Sequence, residues 1–103
     1  MTFELRRSNT AAQQLVELEA DAGKAVILKA VRGALARLEQ NPNHPGLNVH
    51  PWKGSKCPHT PEKTLFEAYA QNNTPGAYRI FFCYCVAKGE RGIINIIAIT
   101  PHP

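Results

Sequence analysis

The chain is short of acid. Eight Asp and Glu face twelve Lys and Arg, a formal net charge of +4, and that balance favours nucleic acid or another polyanion as partner. No apolar run approaches the roughly 18 residues that a membrane span needs. The opening Met1-Thr2-Phe3-Glu4-Leu5-Arg6-Arg7 sets an acid and two bases where a secretory leader requires an unbroken apolar stretch. A cytoplasmic chain with no membrane partner is therefore expected. Cysteine is scarce: three residues cannot all pair within one chain, and without a leader they are expected as reduced thiols. Internal repeats, low-complexity tracts and linkers are missing, and 103 residues suffice for one hydrophobic core, so residues 1–103 are read as a single domain.

The halves of the chain differ in period. Ala11, Leu15, Leu18 and Ala22 follow helical spacing behind the cap candidates Ser8, Asn9 and Thr10, and a second stripe of Ile27, Val31, Ala34, Leu35 and Leu38 ends near Asn41, ahead of Pro42. These predict an αα hairpin, preceded by a short strand over Phe3-Glu4-Leu5-Arg6. From Pro42 to Glu62 five prolines and two glycines predict a long irregular connection. Seven of the eight aromatic residues lie from Trp52 onward, and there the pattern becomes β. Strands are expected over Leu65–Ala70, Ala77–Val86 and Ile93–Ile99, separated by the turn segments Gln71–Gly76 and Lys88–Gly92. The fold class is thus α+β: two N-terminal helices packed on one face of a small, mainly antiparallel sheet.

Strand parity assigns the chemistry. Tyr78, Ile80, Phe82, Tyr84 and Val86 share one face and suit the core beneath the helices, whereas Arg79, Phe81, Cys83 and Cys85 share the other. Two helices cover only one side of a small sheet, so the Arg79 side is expected to be at least partly open. A guanidinium there either pairs with Glu67 on the neighbouring strand or also meets a phosphate or a partner carboxylate as a planar fork. Trp52 with Lys53 and Lys56 interleaves an aromatic and cations, which suits stacking on bases and pairing with backbone phosphate; a lone Trp also serves as a core anchor under a loop. Cys57, His59, Cys83 and Cys85 do not follow the usual Cys-x2-Cys metal spacing, so thiols are read there and no metal site.

The run Asn41-Pro42-Asn43-His44-Pro45-Gly46-Leu47 after the second helix, Tyr78-Arg79-Ile80 leading into the long aromatic strand, and the Ile-rich final strand resemble the RelE/ParE superfamily of bacterial type II toxin-antitoxin toxins over essentially the whole chain. The resemblance implies a basic, concave sheet face opposite the helices. It further implies a toxin silenced by a cognate antitoxin, and a ribosome-associated mRNA endonuclease that needs neither metal nor cofactor. The alternatives are a ParE-like DNA gyrase inhibitor or a non-catalytic binding module with the same fold. By that match Arg79 contacts the scissile phosphate and His102 and Glu67 handle protons, while Trp52, Lys53 and Lys56 are the RNA-binding candidates that the interleaved pattern gives. One departure stands out: Thr100-Pro101-His102-Pro103 occupies the place where the family's ribonucleases often carry further cations.

Overall fold

A computed structural model describes residues 3–56, 64–71, 76–85 and 92–101, the side chains of residues 53–56 and of Cys85 excepted. Strand β1 (Glu4–Arg7) precedes helix α1 (Asn9–Ala20). Ser8 is extended and its Oγ accepts the Ala11 N–H at 3.0 Å, so one of the orphan donors of the first turn is satisfied. A 3-10 turn over Ala22–Lys24, with Gly23 N–H donating to Asp21 Oδ1, leads into helix α2 (Ala25–Gln40). The expected helical hairpin is present. Ala22, however, lies exposed in the turn and does not extend the buried stripe.

Beyond α2 the chain is more regular than its prolines predict. A 3-10 turn at Pro45–Leu47 ends at Asn48 in the left-handed conformation (φ 47°), and His50–Lys56 forms strand β2. The long irregular connection expected from Pro42 to Glu62 is corrected by these elements as far as Lys56; residues 57–62 lie outside the described residues. Proline is tolerated in β2 because β2 lies at a sheet edge, where an N–H missing from the ladder leaves no neighbour unsatisfied. Strands β3 (Thr64–Tyr69), β4 (Tyr78–Cys85) and β5 (Ile93–Pro101) complete a five-stranded sheet of order β1-β5-β4-β3-β2. Only β1 against β5 is parallel; β2 against β3, β3 against β4 and β4 against β5 are antiparallel. The architecture is α+β with a mixed sheet, and the helices follow β1 rather than opening the chain.

The core joins Ala11 and Leu18 of α1, Val31, Ala34, Leu35 and Leu38 of α2, and Tyr78, Ile80 and Phe82 of β4. Ile27 and Tyr84 pack at its margin, so the apolar stripe of α2 meets the even-numbered side chains of β4 as the periodicity predicts. Ile94, Ile96 and Ile99 supply β5. The break in their spacing is a bulge: Phe81 pairs with Ala98 but Phe82 with Ile96, so Ile97 is the extra residue. Ser8 reaches this point as well. Its N–H donates to the Ile96 carbonyl at 2.9 Å and its Oγ–H to the Ile97 carbonyl at 2.7 Å, so one side chain both caps α1 and fastens it to the bulge.

The odd-numbered face of β4 overturns an expectation. Arg79 is 2% exposed, and Phe81 and Cys83 are buried as well, so this face is closed around Arg79 and not open. Among the described residues two large side chains contribute to the closure: Trp52 packs edge-on against Phe81, with ring centroids 5.3 Å apart, and the Tyr69 ring lies over the Arg79 guanidinium. Cys83 is disulfide-bonded, which corrects the reduced-thiol reading at that position.

A buried ionic cluster as candidate functional site

Cross-strand register assembles the site. His50 of β2 stands opposite Glu67 of β3, which stands opposite Phe81 of β4, while Tyr69 stands opposite Arg79. Directly opposed residues point to the same side of a sheet. His50, Glu67, Tyr69 and Arg79 therefore share the odd-numbered face of β4.

Glu67 is 1% exposed, and a carboxylate so placed must be compensated. His50 Nε2 lies 2.6 Å from Glu67 Oε1, and Arg79 Nε lies 3.8 Å from Glu67 Oε2. The second distance is an ion pair without a hydrogen bond, since N–H···O bonds close at about 3.2 Å or less. Arg79 takes its hydrogen bonds from the backbone, its Nη1 donating to the Gln71 carbonyl at 2.8 Å and to the Tyr78 carbonyl at 3.3 Å. The flat face of the guanidinium is stacked 3.7 Å from the Tyr69 ring centroid, a cation–π contact. Tyr69 also meets the His50 ring edge-on at 5.7 Å.

His50 is the accessible member, with 38% of its side chain exposed. Its Nδ1 lies 2.7 Å from the Asn48 carbonyl oxygen, which can only accept. Nδ1–H therefore donates to Asn48, and Nε2 shares a proton with the Glu67 carboxyl group. The cluster sets an imidazole and a guanidinium on the two oxygens of one carboxyl group. Chemically it offers a proton-bearing group at the surface, a buried carboxylate that orients it, and a buried cation that braces the carboxylate.

The residues singled out from the sequence divide clearly. Arg79 and Glu67 are brought together, and their ion pair is the arrangement that strand adjacency anticipated. Trp52 is half-buried against Phe81, a packing role that leaves only part of the indole accessible for stacking. The side chains of Lys53 and Lys56, and all of His102, Cys57 and His59, lie outside the described residues. The disulfide at Cys83 removes that sulfur from any set of thiolate ligands. His50 and Tyr69 were missed. Their only sequence signal was residue type, because the register that sets them beside Glu67 and Arg79 depends on a strand hidden among prolines.

Among the described residues, no helix is long and apolar enough to cross a membrane. Comparisons of the chain with family models, with curated proteins and with solved structures find no match.

Proposed function

We propose that this chain is the toxin of a type II toxin-antitoxin system, similar to the RelE/ParE superfamily, that cuts mRNA at the ribosome without a metal and is silenced by a cognate antitoxin in the cytoplasm. The reading takes both helices as covering one sheet face in the RelE manner, which is supported by their shared apolar cluster with the even-numbered side chains of β4. The observation that carries the activity is the contact of His50 with buried Glu67 beside Arg79. Cleavage of RNA through its 2′-OH needs a group that moves protons and charge that stabilises the phosphorane. A carboxylate-oriented imidazole at the rim of the sheet supplies the first. In this arrangement Glu67 is a positioning residue and Arg79 its brace. The Arg79 guanidinium would meet a phosphate only after leaving Tyr69 and the backbone carbonyls. Cations for the phosphate are sought in Lys53 and Lys56, and His102 keeps its expected role as a second proton-transfer group.

A second reading is favoured by a specific feature: both His50 nitrogens and the Nη1 of Arg79 already have protein partners. A closed cluster of this kind suits a protein that acts by binding alone, as a gyrase inhibitor or a non-catalytic module. Mapping mRNA 5′ ends in cells expressing wild-type, His50→Gln and Glu67→Gln proteins separates the two. The nuclease reading expects new ends within translated codons, reduced about 100-fold or more by His50→Gln, in line with loss of a general acid–base group. Growth arrest with unchanged ends and accumulating gyrase-linked DNA breaks would replace it with the inhibitor.

A further inference from the structure

On the opposite side of the sheet from Glu67 lies a cleft of about 510 Å³ between the 42–51 segment and the β3–β4 ladder. Phe66 and Glu67 are neighbours in β3, so their side chains leave by opposite faces. Phe66 and Tyr84 supply the aromatic wall, their rings 5.4 Å apart and nearly perpendicular. Asn43, His44 and Asn48 supply the rim. The lining contains no Asp, Glu, Lys or Arg.

His50 also lines the cleft but is already engaged by Glu67 and the Asn48 carbonyl, so the groups open to a ligand are the others. The side-chain amides of Asn43 and Asn48 and the Tyr84 hydroxyl make no hydrogen bond among the described residues. His44 is held with Nδ1 accepting the Gly46 N–H at 3.0 Å, so in the neutral ring Nε2 carries the proton and can donate. Burial pushes the Tyr84 hydroxyl up from its ordinary range, which keeps it a neutral donor at physiological pH. The cleft therefore combines an aromatic wall with neutral donors and acceptors, and its size falls within the roughly 300–1,000 Å³ typical of small-molecule sites.

We infer that this cleft binds a nucleobase: a flat, uncharged heteroaromatic ring that packs on Phe66 and Tyr84 while Asn43, His44, Asn48 and the Tyr84 hydroxyl hydrogen-bond its edge. The lining offers a phosphate no Lys or Arg, and a purely apolar ring would leave the two amides unmatched. Aromatic packing with edge hydrogen bonding is the means by which proteins read unstacked bases. The cleft meets the Glu67–Arg79 cluster only through His50, which lines it and contacts Glu67; Asn43 and Tyr84 belong to the cleft alone, so variants at these two residues test the inference apart from the proposed cleavage.

Titration with adenosine, guanosine, cytidine and uridine, followed by NMR shifts of the full chain, tests it. Saturable shifts are expected at Phe66, Tyr84 and the 43–48 segment for at least one nucleoside. Asn43→Ala and Tyr84→Phe should each weaken that binding about three- to tenfold, the range for loss of one neutral hydrogen bond. Asn43 is exposed and its side chain has no partner among the described residues, so that variant tests binding in an undisturbed fold. No saturable shift with any nucleoside, or affinities unchanged in both variants, would overturn the inference. So would displacement of the nucleoside by a proline-rich peptide that binds more tightly and ignores Asn43, since an aromatic cleft also suits polyproline segments.

Discussion

Arg79 shows how much one residue's surroundings alter what its sequence position suggests. Its guanidinium is buried, stacked on Tyr69, bonded to two backbone carbonyls and set beside a buried carboxylate. Truncation removes the buried cation beside Glu67. We therefore expect Arg79→Ala to destabilise the domain by about 3–5 kcal/mol, as for a broken buried pair. Glu67→Gln should recover part of that loss, so the double variant will be more stable than the sum of the single changes, measured by denaturant titration in a double-mutant cycle. Additive losses would mean that the two side chains act independently. Tyr84 carries a second residue-scale prediction. Burial raises its pKa above the ordinary 10.0, so as the pH rises the unfolded chain ionises first. The stability this confers is intact below about pH 10 and is lost as the pH climbs through the raised folded value. Tyr84→Phe should flatten that alkaline decline, readable as a smaller fall in melting temperature between pH 9 and pH 11, conditions chosen to bracket roughly the usual tyrosine pKa.

At the scale of elements, Ser8 has two tasks: it caps α1 through Ala11 and bonds the carbonyl of the bulge residue Ile97. Ser8→Ala should lower stability by about 1–2 kcal/mol, toward the upper end for an N-cap. Amide exchange should rise at the start of α1 and around Ile97 together; a rise at the helix alone would separate the two tasks. Much of the element order was legible in the chain. Both helices and four of the five strands followed from period and turn residues, because their apolar residues recur at spacings that suit one element type. Strand β2 was hidden because Pro51 and Gly54 read as loop residues, and an edge position is where a strand tolerates them. The bulge was hidden for a different reason. In Ile93-Ile94-Asn95-Ile96-Ile97-Ala98-Ile99 nearly every residue is apolar, so no alternation marks where parity changes.

For the whole molecule, what escaped the sequence was how elements distant in the chain are brought together. Adjacency of β3 and β4 made the Glu67–Arg79 pair foreseeable, whereas His50 reached Glu67 only through the β2–β3 register. The closed face around Arg79 was not foreseeable from a count of helices, because its cover is drawn from Trp52 and Tyr69 on the sheet itself. The order β1-β5-β4-β3-β2 places the strand made last between the strand made first and β4. During synthesis β1 has no sheet partner until Ile93–Ile96 emerge, and β4 presents an unpaired edge over the same interval. A chain stopped before Ile93 should therefore give no cooperative thermal transition, and calorimetry of such a truncation checks this directly. Any activity that depends on the complete sheet would then start only after β5 has been translated and has left the ribosome, which sets a delay between the making of β1 and the first moment of function.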